Sequence, residues 1–395
     1  MMIKSRNFYE NNRLRLCDKL HNTLVVVPAH KMLQYSFDTP YAFRQESNFL
    51  YLTGIKEPDL TLVIDTETSE STIFLPKQND YQKEWDGDLD RSKISKISGI
   101  KNIRSDIQLK KVVDEAVKKG LKIGILPPGD DRIEPYGFYA NPARKLLVEK
   151  LDRYKDNFID IRKNIAILRQ IKSDSEIQEI KKAIEATGKT LEYIKNKINR
   201  YSYEQEVVKD LTINFLKNGG DKHGFDPIVA NEKNAATIHY KENSGEIVDD
   251  SLILLDVGAQ VGDYSADVSR TYEIGNASNK QKDVLKAVLN VQQELVAMVK
   301  PGLTIKHIQE ITEEKLAKKY KELKITSRKL PHGVSHHLGL DVHDAADYSA
   351  ILAENMVITI EPGIYLPEEK IGVRIEDDLL ITKNGSINLS GNIPY

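Results

Sequence analysis

The sequence predicts an α/β domain in its N-terminal part and an α+β domain, an antiparallel sheet flanked by helices, in its C-terminal part. Three observations carry this. At 395 residues the chain is too long for one ordinary core, a single large α/β domain being the alternative. Its first part alternates short apolar runs with helical stretches. Further on, long amphipathic helices are segregated from hairpin-like pieces.

The apolar runs NTLVVVPAH (22–30), DLTLVID (59–65), STIFLP (71–76) and LKIGILPP (121–128) are bounded by Pro, Gly and Asp and read as buried strands of an α/β layer. A long helix begins near residue 174, where Ser173 caps it and Glu176 sits three residues on, as in a capping box. Ile177, Ile180, Ala183, Ile184 and Thr187 then recur at helical spacing. The charged stretch before it, about residues 160 to 170, holds the domain boundary, giving domains 1–165 and 166–395. A second amphipathic helix spans 281–302, with Val284, Leu285, Val288, Val291, Leu295 and Met298 on its apolar side and Pro301-Gly302 closing it. Strand-like pieces surround the helices: ATIHY, LILLDVGAQVGDYSADVSRTY (252–272), HHLGLDVHD, MVITIEPGIYL and GVRIEDDLLITKNG.

Composition narrows the function. Apolar residues make up 40%, and 57 basic residues nearly balance 59 acidic ones, for a net charge of -2. That gives no polyanion-binding signal and predicts no nucleic-acid partner. The single cysteine, Cys17, rules out an internal disulfide framework and fits a reducing compartment. No secretory h-region opens the chain and no apolar run approaches a membrane span, so a cytoplasmic protein with no membrane partner is expected. Neither H-E-x-x-H nor G-x-S-x-G occurs, and Cys17, far from the histidine cluster, is a poor nucleophile.

The chemistry gathers in three segments. Residues 252–272 form one hairpin with its turn near Val261-Gly262-Asp263. Asp256 and Asp267 are then either directly opposed or, with a Gly262-Asp263 turn, diagonal neighbours; both registers put them on one face. Like charges so placed repel unless a cation lies between them; a turn cap or an ion pair with Arg270 is the alternative. HGVSHHLGLDVHD (332–344) carries His332, His336, His337 and His343, four of the nine histidines, and clustering favours a metal or acid–base site over lone structural roles. ITIEPGIYLPEEKIGVRIEDD (358–378) bears Glu361 and Glu376 in apolar surroundings. Each has a bland alternative, an edge strand ending at Pro362 for Glu361 and an ion pair with Arg374 for Glu376. Four carboxylates and an imidazole together are a set that a core would not tolerate unneutralised. Two divalent cations would balance four carboxylates, and oxygen-rich ligation with one His points to Mn, Co, Fe or Zn.

The order Asp256, Asp267, HGVSHHLGLDVHD, TIEPGIY and GVRIEDD, over about residues 165 to 385, resembles the pita-bread-fold metallopeptidase superfamily of methionine aminopeptidase, prolidase and aminopeptidase P. YAFRQESNFLYLTG (41–54) resembles the creatinase-like N-terminal domain that aminopeptidase P and prolidase carry. The resemblance implies that Asp256, Asp267, His336, Glu361 and Glu376 ligate two divalent ions, Mn²⁺ first with Co²⁺ or Zn²⁺ as alternatives, Asp267 and Glu376 bridging. It implies that His239 and His343 contact substrate and stabilise the tetrahedral intermediate, and that Glu361 shuttles a proton. It places His332 near the proline ring, makes Tyr365 and Arg374 outer groups that hold ligands and substrate, and leaves His337 without a role. The reaction implied is metal-assisted hydrolysis of the Xaa-Pro bond, on peptides with proline second, by a homodimer or homotetramer. Ser335 and the tryptophan of KEWDGDL, Trp85 in a substrate-facing loop, resemble aminopeptidase P more than prolidase; as the sole Trp it would otherwise be a core or interface anchor. Prolidase, taking Xaa-Pro dipeptides, is the alternative. Creatinase lacks this ligand set, and non-catalytic pita-bread binding proteins have usually lost ligands that this chain keeps.

Overall fold

The computed structural model describes residues 6–129, 137, 139–326 and 328–395. The chain divides into two compact units, Met2–Leu168 and Arg169–Tyr395.

In the N-terminal unit the four apolar runs become strands Thr23–Pro28, Thr61–Asp65, Glu70–Leu75 and Lys122–Ile125. They join Asn102–Ser105 and Phe158–Asp160 in one six-stranded mixed sheet. Thr23–Pro28 pairs antiparallel with Thr61–Asp65 and parallel with Lys122–Ile125, so it lies in the middle of the sheet, and all six of its residues are buried. Leu24, Val26, Val63, Phe74 and Ile123 meet Val113 and Leu147, from helices Leu109–Lys118 and Ala143–Lys150, in one core, the helix-on-sheet layering of an α/β domain. Trp85 lies not in a loop but in the short helix Asp80–Asp86, none of whose residues is buried. At 71% exposure it is no core anchor.

The C-terminal unit is α+β, with small antiparallel sheets flanked by four long helices: Asp174–Lys197, Glu204–Lys217, Asn279–Met298 and Ile305–Glu322. Glu176 reaches back to accept the Ser173 N–H at 2.8 Å, a helix start worth about 1 kcal/mol. Ile177, Ile180, Ala183, Ile184 and Thr187 are all buried along the first of these helices. Val284, Val288, Val291 and Leu295 of Asn279–Met298 share a core with Ile358, Ile360, Ile364 and Val373 from the glutamate-bearing strands. That core fixes the strands that carry the candidate site.

The hairpin adopts the second of its two registers. Strand Ser251–Val257 pairs antiparallel with Val268–Ile274, Asp256 opposite Ser269 and Val257 opposite Val268. Gln260 faces Ser265 in the same register, which leaves Gly262-Asp263 as a two-residue turn. Both turn residues have positive φ, 55° and 75°, the signature of a type I′ turn. Asp267 is thus diagonal to Asp256. At Gly258 the hairpin folds tightly on itself; a side-chain carbon there would overlap the Ala266 carbonyl, so only glycine fits.

Two strand-like pieces differ from expectation. ATIHY is no strand: the 3-10 helix Glu232–Ala236 leads into a turn that presents His239. HHLGLDVHD forms a single bridge, His337 to Ile358, and is otherwise irregular. Backbone bonds hold its start, Leu338 N–H donating to the Val357 carbonyl at 3.0 Å, and side-chain ties hold its end: buried Asp344 is bonded by Arg169 and by Lys172, the latter at 2.9 Å. Burial pushes the Asp344 carboxyl up, but the two cations outweigh this and hold it below the usual range.

Candidate active site

Four segments bring the acidic residues and His336 together. The hairpin delivers Asp256 and Asp267, as its register dictates. Strand Val357–Ile360, an outer strand of its sheet, ends at Glu361. Glu376 sits between strands Ile371–Arg374 and Asp377–Ile381, its N–H donating to the Ser269 carbonyl at 3.1 Å. The fourth segment, 334–338, runs beside Val357–Ile360: Thr359 N–H donates to His336 O at 2.9 Å and Glu361 N–H to Val334 O at 2.9 Å. This aims the His336 ring at the carboxylates, and its Nε2 lies 3.3 Å from Asp267, 3.5 Å from Glu361 and 4.0 Å from Glu376.

Ligand atoms of Asp267, His336 and Glu376 lie within 4.8 Å of one another, close enough to hold one ion. Two further observations fit cations here. Asp256 Oδ1 and Glu376 Oε1 are buried with no hydrogen-bond partner among the described residues, and for a carboxylate oxygen such burial is costly unless a cation meets it. The carboxyls also oppose one another's ionisation. Burial, then the charges of Glu376 and Asp256, push Asp267 well above the usual range; burial, then Glu361 and Asp256, do the same to Glu376. Glu361 is pushed up to about 8, chiefly by burial. Burial lowers His336 to about 3, leaving its imidazole neutral and able to ligate. Without cations this cluster cannot be fully ionised near neutral pH; with divalent ions it can, and the all-oxygen-and-imidazole donor set suits them.

Arg374 is the pivot of the surrounding network. Its buried guanidinium donates to Asp256 Oδ2 at 2.5 Å, Ser269 Oγ at 2.9 Å and the Tyr365 hydroxyl at 2.8 Å. Ser269 Oγ in turn donates to Glu376 Oε2 at 2.8 Å. Tyr365 hydrogen-bonds His332 Nε2 at 2.8 Å, and His332 Nδ1 lies 3.4 Å from Glu361. Arg374 therefore touches Asp256 rather than forming the adjacent Glu376 pair that its position in the chain suggested. Arg270, the other suggested partner, is fully buried against Asp377 at 2.8 Å and serves neither hairpin aspartate. Sequence reasoning missed Ser269, although its offset of two from Asp267 puts it on the same strand face. It also missed Asp378, which accepts the Asp267 N–H at 3.1 Å.

His239 and His343 border the cluster, each with part of its surface open to solvent. The His343 ring meets His336 edge-on at 4.4 Å between centroids. The His239 imidazole is lowered by burial and then by the Arg374 charge, with Asp256 acting the other way. Burial and Arg374 likewise lower His332 to about 4. Ser335 is buried, its hydroxyl unpartnered among the described residues.

Known proteins share the sequence and the fold of both units. Residues 178–383 match the model of metallopeptidase family M24, and residues 9–123 match the aminopeptidase P N-terminal domain. Xaa-Pro aminopeptidase 3 of Homo sapiens is 29% identical over 407 residues, 94% of this chain and 78% of that protein. An Xaa-Pro dipeptidase of Pyrococcus horikoshii is 35% identical over 273 residues, 68% of this chain and 74% of its own length. Among solved structures, a Bacillus anthracis protein described as a candidate aminopeptidase P superposes with a TM-score of 0.87 at 32% identity, covering 99% of this chain and 96% of that one. The chain belongs to metallopeptidase family M24, with an aminopeptidase P-type N-terminal domain ahead of its pita-bread C-terminal domain.

Proposed function

We propose that this protein is an Xaa-Pro aminopeptidase: it removes the first residue from peptides whose second residue is proline, using two divalent ions held by Asp256, Asp267, His336, Glu361 and Glu376. The observation that carries the reading is the buried carboxylate cluster around His336, whose members block one another's ionisation and leave two oxygens unmatched. Four carboxylates would balance two divalent ions, with Asp267 and Glu376 among the residues that would hold them; Mn²⁺ heads the candidates, ahead of Co²⁺ and Zn²⁺. The ions would polarise the scissile carbonyl and make a water acidic enough to attack near neutral pH.

The chain's own groups do the rest. Glu361 takes the proton released from the attacking water and passes it to the leaving nitrogen. His239 and His343 donate to the oxyanion as it develops, where a fixed donor is worth more than in water. Arg374 keeps Asp256 and Ser269 in place and, through Tyr365, fixes the tilt of His332. A prolyl amide nitrogen carries no hydrogen, so recognition falls on ring shape, a role assigned to His332. The lone Cys17 supports action in a reducing compartment such as the cytoplasm. Exposed Tyr35, Phe37, Tyr41, Tyr81 and Trp85 on the N-terminal unit support a homodimer or homotetramer.

The Pyrococcus relative favours a second reading, a prolidase restricted to Xaa-Pro dipeptides. Purified protein supplied with Mn²⁺ and offered Arg-Pro-Pro and Ala-Pro in turn separates the two. Release of Arg with little dipeptide cleavage is expected, dipeptide-only cleavage would make it a prolidase, and no cleavage of either would revive a non-catalytic pita-bread protein.

A further inference from the structure

One carboxylate outside every motif is built into the support of the His239 loop. Glu204 opens helix Glu204–Lys217 and is completely buried. Oε1 accepts the Asn231 N–H at 2.8 Å and the Asn234 side-chain amide at 3.0 Å. Oε2 accepts the Tyr240 hydroxyl at 2.8 Å and the Gly245 N–H at 2.8 Å. The Glu204 N–H donates back to the Gly245 carbonyl at 3.0 Å. All four donors to the carboxylate are uncharged and all come from residues 231–245, and the helix N-terminus adds favourable partial charge. A side-chain carbon at Gly245 would stand 2.9 Å from Glu204 Oε2, so the loop closes on the carboxylate as tightly as glycine allows.

The same loop is held on its other side by the site. The Ala235 carbonyl presses on Gly372, leaving no room for a side-chain carbon there, and Gly372 shares strand Ile371–Arg374 with Arg374. Between the two anchors lies His239, next to Tyr240, in a turn with no sheet pairing of its own. A buried carboxylate with four donors is a rigid anchor, because any loop shift strands a polar group away from water.

We propose that Glu204 is a positioning residue: through Tyr240 and the backbone it clamps, it sets the place of the His239 imidazole in the active site. This rests on the peptidase reading of that site. Glu204→Gln keeps the volume but turns one acceptor oxygen into an amide donor: at Oε1 it faces two N–H donors, and at Oε2 the Gly245 N–H and a Tyr240 hydroxyl able to accept, so at least one of the four bonds is lost. If His239 acts on the developing oxyanion, the loss falls on kcat rather than KM.

The test uses the full chain loaded with Zn²⁺, with Arg-Pro-Pro as substrate, in the wild type, Glu204→Gln, Tyr240→Phe, His239→Ala and the double variant Glu204→Gln/His239→Ala. The imidazole C–H resonance of His239 is followed beside that of His307, which lies on helix Ile305–Glu322 with its side chain exposed. Glu204→Gln is expected to lower kcat about ten- to hundredfold with KM within about twofold, and the loss to shrink below about twofold in the His239→Ala background. Its His239 resonance moves while that of His307 does not. Tyr240→Phe removes one donor only and gives the same pattern at smaller size, which keeps the test open should Glu204→Gln fail to fold. Equal losses with and without His239, wild-type kcat, or an unmoved His239 resonance would overturn the proposal. A wild type that cleaves no Xaa-Pro peptide while the His239 resonance still responds to Glu204→Gln would sink the substrate reading and leave the positioning role standing.

Discussion

Stripping divalent metal should make the stability of the C-terminal unit fall with rising pH above about 6.5, and the structure gives the size. Glu361 is pushed up to about 8 from an ordinary 4.5. A carboxyl raised in the fold keeps a proton that the unfolded chain has lost, so its stabilising contribution is full below about pH 4.5 and drains away as pH rises through about 8. His332 and His336, lowered to about 4 and about 3, work in the opposite sense below about pH 6.5, where unfolded imidazoles take up protons and the folded ones do not. Half of each unfolded imidazole is still protonated at about pH 6.5, so up to about pH 8 the two histidines restore about 0.4 kcal/mol each. At about 1.4 kcal/mol per pH unit, reduced as Glu361 itself begins to ionise, Glu361 loses about 1.6 kcal/mol over the same step, a net fall of about 0.8 kcal/mol. For a unit the size of Arg169–Tyr395 that is a fall in Tm of about 2–3 °C. Asp267 and Glu376, raised in the same direction, deepen it. Ions compete with protons for these oxygens, so the rise in Tm on adding Mn²⁺ should be larger at pH 8 than at pH 6.5. Calorimetric scans with and without chelator read both quantities. A metal-free Tm that is flat or rises over this range, with equal metal increments at both ends, would refute the reasoning.

Three other perturbations have definite outcomes. Arg374→Met leaves the Asp256 carboxylate and the Tyr365 hydroxyl without their buried partner and should cost about 3–5 kcal/mol in metal-free denaturant melts, with activity lost. Gly258→Ala forces a side-chain carbon onto the Ala266 carbonyl and should destabilise by about 1–3 kcal/mol or prevent folding, read from the same melts. Trp85→Ala, on an exposed helix, should leave unfolding of the N-terminal unit within about 0.5 kcal/mol of wild type.

The parts of the fold carried by local pattern were legible in the chain. Ser173 with Glu176 marks a helix start because the bond closes within four residues, and the Thr23–Pro28 strand is an apolar run with turn residues at its ends. The hairpin was legible because alternation puts Asp256 and Asp267 on one face in either register; choosing the register needed the positive φ of Gly262 and Asp263. What escaped depends on partners distant in sequence. The HHLGLDVHD segment looked extended, yet only its start pairs with a strand, and its end is held by the ties of Asp344 to Arg169 and Lys172, more than 170 residues away. Arg374 stands two residues from Glu376 but bonds Asp256, 118 residues away on a strand of another sheet. Ser269 and Glu204 belong to no recognisable motif, and only the folded backbone brings their acceptors and donors together.

The most direct test of the account is a titration of the metal-stripped chain with Mn²⁺, following bound metal and release of Arg from Arg-Pro-Pro together. The account predicts no cleavage without metal, activity that saturates at two ions per chain, and loss of both the ion pair and turnover in Asp267→Ala and Glu376→Ala. Cleavage by the stripped chain, or near-normal turnover by either variant once reconstituted, would contradict it.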